Sequence, residues 1–414
     1  MADKLRIVVV EPNNGGGLVH FAYQMCGALS DQGLDVTLLV GTEYELADRP
    51  HNFRVAKVLQ LWQAFDPASM KLEHKGFLQR MFGKIHWQLR RVVRAMRLVL
   101  AWMKIVSFVT RAKPDIVQFT RIEHPIEELF IAYLRRRGFA LTQLCHEFEN
   151  REAKDFISSF VSRLSGIVYQ NFSGIFFLSE KLRLRFLELH PSIPPAHTHA
   201  IPHGNSDWLL SLPSTPTADL RKRLGLTESE RVILFFGLLS PSKGLEDLFE
   251  AFALMQKEVS TRLVVAGYPT KHVSMEKYLD RNRELGISER VIFDARYVPL
   301  ADIRPLMEVA SLVVYPYRSG TQSGALQTAY TFGRPVVATS VGGLAEVVEE
   351  GKSGFIVPPQ SPRELAERIS QLVRDPALAD EMGRYARRLA ETRFSWKTVA
   401  DLMMPVFEEV VTRE

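Results

Sequence analysis

The chain has 414 residues, 46% hydrophobic and 24% charged, a globular composition too long for one ordinary core, so two domains are expected. Two cysteines, Cys26 and Cys145, exclude a disulfide framework and a cysteine metal cluster and fit a reducing cytoplasm. The net charge of +5 conceals an asymmetry: Lys71 to Lys113 holds eleven Lys/Arg against one acid, Glu73, so the remainder is net acidic.

The N-terminal MADKLRIVVVEP reads as a first strand, without the basic region, apolar region and cleavage site of a signal peptide. Strands are expected at Arg6 to Val10, Asp35 to Val40, Asp115 to Phe119, Ala140 to Cys145 and Gly174 to Leu178. A second set follows at Arg231 to Phe236, Thr261 to Ala266, Arg290 to Phe293, Ser311 to Tyr315, Pro335 to Thr339 and Gly354 to Val357. Most are continuous Val/Ile/Leu/Phe runs, as strands buried on both faces should be. Helical patterns alternate with them, which predicts an α/β chain with two doubly wound, Rossmann-like parallel sheets. The rhythm breaks once, over Asn205 to Glu230, where Pro213 and Pro216 lie among Ser and Thr. The predicted domains are therefore 1–205 and 206–390, with ligands expected at the carboxyl ends of strands in a cleft between them.

The first strand runs into Gly15-Gly16-Gly17, followed by His20. The glycines permit close backbone approach by a ligand; a flexible turn reads the same way. The basic segment reads as one or two helices with an apolar stripe through Leu78, Met81, Phe82, Ile85, Leu89, Val92 and Met96, and with Arg80, Lys84, Arg91 and Arg94 on another side. With Trp87 and Trp102 nearby it suits an anionic membrane surface; the alternative is a helix covering the first sheet with a solvated basic face. No apolar run approaches the roughly 18 to 20 residues of a spanning helix. No nucleic-acid module accompanies the charge, so no nucleic-acid partner is expected.

His146 directly follows a strand, in LTQLCHEFEN, where it can act as donor or general base, or serve structure alone. Glu147 and Glu149 beside it lack metal-ligand spacing, and no D-x-D occurs, so no metal is expected. IPHGNSD, with His203 and Asn205, lies at the domain junction. After RVILFFG the chain reaches SPSKG, and Lys243 there would offer a compact positive charge beside a phosphate; a solvated surface lysine is the plainer reading. The most pointed stretch is SLVVYP-YRSGTQSG-ALQTAYTF, a strand, a loop of small residues and a helix start without an acid. Unpaired N–H groups and the helix dipole make Gly320 to Ala325 a phosphate cradle, though capped strand-to-helix turns are common.

Together and in order, these pieces resemble the GT-B fold retaining glycosyltransferases of family 4: the glycine loop, the strand-end His, LSE at Leu178 to Glu180, IPHGN, FFG…SKG, the YP…SG loop with GRPVVAT, and VGGLAEVVEEGKSGFIVPP. The resemblance implies a second domain that binds a nucleotide sugar, UDP- or GDP-linked, and a first domain that binds a glycan or lipid-linked acceptor. It implies a final helix, in 391–414, crossing back to the first domain. It assigns catalytic roles to His146 and Lys243. Donor binding falls to Gly237, Lys243, Ser319, Gly320, Thr321, Gln322, Ser323, Gly324, Ala325 and Gln327. The acceptor side is Gly15, Gly16, Gly17 and His20, with His203 and Asn205 in the cleft. No cofactor is implied beyond the nucleotide-sugar substrate, and the expected place is the cytoplasm, peripheral on the inner membrane face if the basic helix binds lipid.

Three positions depart from the family. Two glutamates commonly stand eight positions apart around the donor loop, where this chain has Ser319 and Gln327. The arginine that usually joins the lysine is replaced by Leu238. Negative charge facing the sugar and one fixed positive charge at the phosphates are lost. Two alternatives to transfer follow: a protein that binds a nucleotide sugar or glycan without moving it, and an epimerase, which would want carboxylates this loop lacks.

Overall fold

The computed structural model describes residues 4–60, 77–122, 124–146, 148, 168–255 and 260–413, with residues 77–91 described in backbone only. The chain forms two compact units, Met1–Ile201 with Val399–Glu414, and Pro202–Thr398.

The first unit holds a seven-stranded sheet in the order β3-β2-β1-β4-β5-β6-β7. Its strands are β1 (Arg6–Val10), β2 (Asp35–Gly41), β3 (Arg54–Leu59), β4 (Ile116–Phe119), β5 (Ala140–Cys145), β6 (Gly174–Phe177) and β7 (Thr198–Ala200). All are parallel, with Ile7 facing Val36 on one side and Ile116 on the other. The second unit holds six parallel strands in the order β10-β9-β8-β11-β12-β13. They are β8 (Arg231–Phe236), β9 (Thr261–Ala266), β10 (Val291–Asp294), β11 (Leu312–Tyr315), β12 (Val336–Thr339) and β13 (Gly354–Val357). Val232, Ile233, Leu234 and Phe235 of β8 are fully buried, the signature of a strand covered on both faces.

Both sheets are doubly wound, as the alternation of strands and helices predicts. Two strands carried no such signal. β3 is an edge strand whose Arg54 and Lys57 are exposed, and β7 is only three residues long. Strand order reverses between β1 and β4 in the first sheet and between β8 and β11 in the second. Chains leaving neighbouring strands in opposite directions open a crevice at their carboxyl ends. The loops after β1, β4, β8 and β11 are therefore the places to look for a site.

The basic segment ends as the helix Phe77–Ala112, closed by Lys113 in a left-handed conformation with φ 47°. Leu98, Ala101, Trp102, Ile105 and Val109 of this helix are buried in the first unit's core. Trp102 is stacked on Phe119 and Phe130, and its indole N–H donates to Glu127 at 3.2 Å. This corrects the reading of Trp102 as a membrane anchor. The side chains of Arg80, Lys84, Trp87 and Arg91 lie outside the described residues; Arg94 is exposed. No helix among the described residues is long and apolar enough to cross a membrane. The last helix, Trp396–Arg413, buries Val406, Phe407 and Val410, and Gly174 of β6 lets it approach: a Cβ there would meet Val406 at 3.3 Å.

Candidate active-site loops

In the second unit, β11 delivers the loop Pro316 to Ser323, and the helix Gly324–Thr331 follows. Ser323 caps that helix, its Oγ accepting from the Leu326 N–H at 3.3 Å. The N–H groups of Gly324 and Ala325 make no hydrogen bond among the described residues. The loop is held from three sides. Thr339 donates to the Tyr317 carbonyl at 2.6 Å, the Gly343 N–H donates to the Thr321 carbonyl at 2.7 Å, and Tyr315 donates to the Ala325 carbonyl at 2.6 Å. Gly342, at φ 54°, lies so close to the Gly320 and Thr321 carbonyls that a side chain there would collide.

The loop after β8 meets this one directly. The Ser242 carbonyl accepts from the N–H groups of Arg318, at 2.8 Å, and Ser319, at 3.3 Å. Gly244, at φ 65°, leaves room for the Pro316 carbonyl. Arg318 grips Asp247 through two bonds of 2.8 and 2.7 Å. Lys243 is thereby placed with its ammonium 3.6 Å from the centroid of the Tyr317 ring. The Tyr317 hydroxyl lies 3.1 Å from Ser323 Oγ.

Of the residues expected at the donor, Gly237, Lys243, Ser319, Gly320, Thr321, Gln322, Ser323, Gly324 and Ala325 are brought together by these two loops. Gly237 leaves β8 at φ 144°. Gln322 donates to the Gly343 carbonyl at 3.4 Å. Gln327 is fully buried one turn into the helix, and neither atom of its amide hydrogen-bonds among the described residues. Leu238, where an arginine is usual, is 46% exposed. Sequence reasoning missed Tyr317, Arg318 and Asp247; the Arg318–Asp247 pair alone spans 71 residues.

His203 joins the loop from below. Its Nδ1 bonds to the Gly204 carbonyl at 2.8 Å, and its Nε2 lies 3.2 Å from where a Cβ on Gly324 would stand. Burial pushes its pKa down to about 4, so the ring is neutral at physiological pH. Asn205 does not reach the loop. Its amide donates to the Ala390 carbonyl at 2.9 Å and to Asp207 at 2.8 Å, and its carbonyl accepts from Trp396 at 2.9 Å.

In the first unit, Glu11 ends β1 in full burial, and desolvation raises its pKa. It accepts from the Asn13 N–H at 2.9 Å, the Asn13 amide at 2.7 Å and Thr120 at 2.7 Å. Gly16, at φ 89°, starts the helix Gly17–Asp31. The group that approaches these glycines is the chain's own Glu45. Its Oε2 accepts from the Gly16 N–H at 2.9 Å and lies 3.0 Å from His20 Nε2. Sequence reasoning missed Glu45 as well. His146 follows β5 and packs edge-on against Phe21 with ring centroids 5.5 Å apart. Its neighbours Glu147 and Glu149 lie outside the described residues.

Comparison with known proteins places these loops among related sequences. A profile described as "Glycosyl transferases group 1" matches residues 230–375, the segment that holds the β8 and β11 loops. The chain is 32% identical over 205 residues to a D-inositol 3-phosphate glycosyltransferase of Thermobispora bispora, covering 48% of this chain and 47% of that one. It is 26% identical over 220 residues to an alpha-D-kanosaminyltransferase of Streptomyces kanamyceticus, covering 53% and 56%. The chain thus spans about half the length of the curated relatives it matches. Over nearly the whole chain the fold is that of a sucrose-phosphate synthase from Thermosynechococcus elongatus, with a TM-score of 0.72, 20% identity and coverage of 99% and 100%. Anabaena HepE in complex with UDP is similar at a TM-score of 0.70 and 19% identity, covering 98% and 100%. These solved structures share the two-sheet GT-B architecture.

Proposed function

We propose that the chain is a group 1 glycosyltransferase, on the GT-B fold, that moves a sugar from a nucleotide-sugar donor to a hydroxyl of a glycan or lipid-linked acceptor, with retention and without a metal. The observation that carries the reading is the joined pair of loops after β8 and β11. They set the Lys243 ammonium over Tyr317, beside a capped helix start whose Gly324 and Ala325 N–H groups have no partner among the described residues. An ammonium beside a helix N-terminus of this kind suits a diphosphate.

In this reading the diphosphate rests on the Gly324 and Ala325 N–H groups and on Lys243. As the bond to the sugar breaks, charge builds on the leaving oxygen, and the same donors stabilise it. The acceptor hydroxyl attacks from the face the diphosphate leaves, and its proton passes to a diphosphate oxygen. No protein nucleophile is required. Gln327 meets the ribose hydroxyls, which supply the partners its buried amide lacks. Positive charge at the phosphates comes from Lys243 and the helix dipole, so no divalent ion or resident cofactor is invoked. The similar Anabaena HepE structure is a complex with UDP, which supports UDP as the first nucleotide to test.

The exposed Leu238 favours a second reading, a protein that holds the nucleotide sugar without transferring it. Turnover separates the two. Release of nucleoside diphosphate from UDP- or GDP-sugars, in the presence of glycan acceptors and chelator, supports transfer. Tight donor binding with no release above the Lys243→Ala background supports the binder.

One observation bears on the acceptor. Val92, Met96, Leu100 and Met103 are 55%, 59%, 54% and 56% exposed on one face of the helix Phe77–Ala112. That face lies opposite the one buried in the core, and exposed Arg97 and Lys104 flank it. An apolar strip with basic flanks suits an anionic lipid surface, and hence a lipid-linked acceptor.

A further inference from the structure

The first unit has an open cavity of about 1090 Å³ at the amino ends of its strands, the opposite end from the loops after β1 and β4. Four charged residues at the starts of four adjacent strands line it in alternating sign: Arg54 of β3, Asp35 of β2, Arg6 of β1 and Asp115 just before β4. Arg6 stands level with Asp35 in the β1–β2 register, and its N–H donates to Asp115 at 2.7 Å. Arg54 Nη2 donates to both Asp35 oxygens, at 2.8 and 2.7 Å, and Arg6 Nη2 donates to Asp115 at 3.2 Å. The row therefore cancels its own charge. All four side chains stay partly exposed, and the Nε and Nη1 donors of Arg54 have no partner among the described residues. One wall is aromatic: Phe53 and His51 meet edge-on with ring centroids 5.1 Å apart, and both rings pack against Tyr23. Asn52 between them is fixed, its amide donating to the Gly27 carbonyl at 3.0 Å and to Asp31 at 2.7 Å. Leu34, Val36 and Val411 add apolar lining.

We propose that this cavity is a second binding site, for an uncharged oligosaccharide. An ion gains little from a row whose charges are already paired, and a phosphate at Arg6 or Arg54 would face the carboxylate of Asp115 or Asp35. Exposed Lys4 adds one unbalanced charge to the lining. A hydroxyl both donates and accepts, so neighbouring hydroxyls can bond a guanidinium and a carboxylate together. Adjacent strands stand about 4.8 Å apart, which spreads the four charged groups over roughly 14 Å, more than one sugar ring. Phe53 and the aliphatic lining offer apolar surface to the C–H faces of the rings. A few polar groups among aromatic and aliphatic side chains, in a volume of this order, suit a ligand of several rings. For an enzyme acting on a glycan, such a hold raises the effective concentration of the acceptor. That consequence rests on the transfer reading; the binding itself does not.

The test uses the full chain with labelled leucine and valine methyl groups, following Leu34, Val36 and Val411 by NMR. It is titrated with hexasaccharides of glucose, galactose, mannose and N-acetylglucosamine, and separately with inorganic phosphate against matched chloride. At least one saccharide should move these resonances saturably at millimolar concentration, and phosphate should not. Arg54→Ala removes the donors of an exposed edge side chain and should weaken that saccharide roughly 10- to 100-fold, the loss of a hydrogen bond to a charged group. Phe53→Ala removes the aromatic wall and should weaken it as well, so either variant carries the test if the other does not fold. No response to any of the four saccharides overturns the proposal. So does phosphate binding tighter than every saccharide, which would make the cavity an anion site, and so does undiminished saccharide affinity in the folded variants. No nucleotide or turnover enters the readout, so failure here leaves the transfer reading standing, and failure of transfer leaves this result intact.

Discussion

The Lys243 ammonium lies 3.6 Å from the centre of the Tyr317 ring, and the Tyr317 hydroxyl lies 3.1 Å from Ser323 Oγ, the cap of the helix Gly324–Thr331. One aromatic ring thus ties the positive charge of the β8 loop to the helix start of the β11 loop. Lys243→Ala should weaken nucleoside diphosphate binding roughly 10- to 100-fold, the loss of a charge-assisted bond. Tyr317→Phe keeps the ring under the ammonium and loses only the Ser323 contact. It should cost less than roughly tenfold in affinity. Titration calorimetry on both variants checks the order; a Tyr317→Phe loss equal to that of Lys243→Ala would contradict it.

Gln327 gives a prediction in which stability and binding move in opposite directions. Its amide is fully buried with neither atom hydrogen-bonded among the described residues. A buried polar group without a partner costs about 1–3 kcal/mol. Gln327→Leu, similar in volume, should therefore stabilise the free protein by an amount of that order. It should also weaken nucleotide binding, because the ribose loses its partner. Denaturant unfolding without ligand and nucleotide titration measure the two halves. A variant that is both less stable and equally tight would show that Gln327 faces no ligand.

Gly244 and Gly225 form a matched pair. Both are at φ 65°, but a side chain at Gly244 meets the Pro316 carbonyl whereas the space around Gly225 is open. Gly225→Ala should cost about 1 kcal/mol, the price of a left-handed alanine, and leave nucleotide affinity unchanged. Gly244→Ala adds the collision that separates the two loops. It should lower the melting temperature further and weaken nucleotide binding. Equal effects on both readouts would remove the β8–β11 loop contact from the account.

Strands and loops were unequally legible in the sequence. β8, RVILFF, is a continuous apolar run because helices cover both faces, and its boundaries follow from that pattern. β3, RVAKVL, sits at a sheet edge with Lys57 in solvent, which dilutes the same signal. The donor loop was readable because small residues between a strand and a helix leave N–H groups bare. Lys243 was readable because it follows a neighbouring strand. Arg318, Asp247 and Glu45 were not, because their roles exist only through partners distant in sequence, 71 residues for Arg318–Asp247 and 29 for Glu45–Gly16. Trp102 misled in the opposite direction: a tryptophan in a basic helix suits a membrane, but the indole faces the core and Glu127.

His203 ties stability to pH. Burial lowers its pKa from 6.5 to about 4. Between those values the unfolded chain carries a proton at this ring that the folded chain does not, so the folded state loses stability as pH falls from 6.5 toward 4. From pH 7.5 to pH 5 the loss from this group alone should be about 2 kcal/mol. His203→Asn does not titrate and should show a pH dependence shallower by about that amount. Denaturant midpoints for both proteins at the two pH values check the difference; parallel curves would mean that the ring is protonated in the fold.

The measurement that tests the central claim most directly is a binding screen of the purified full chain against UDP, GDP and ADP and their common sugar conjugates, with chelator present. The account predicts a raised melting temperature for one nucleotide series, unchanged when divalent metal is added and abolished by Lys243→Ala. Absence of a shift with every nucleotide, or a shift that survives Lys243→Ala undiminished, would contradict the assignment of the β8 and β11 loops as the donor site.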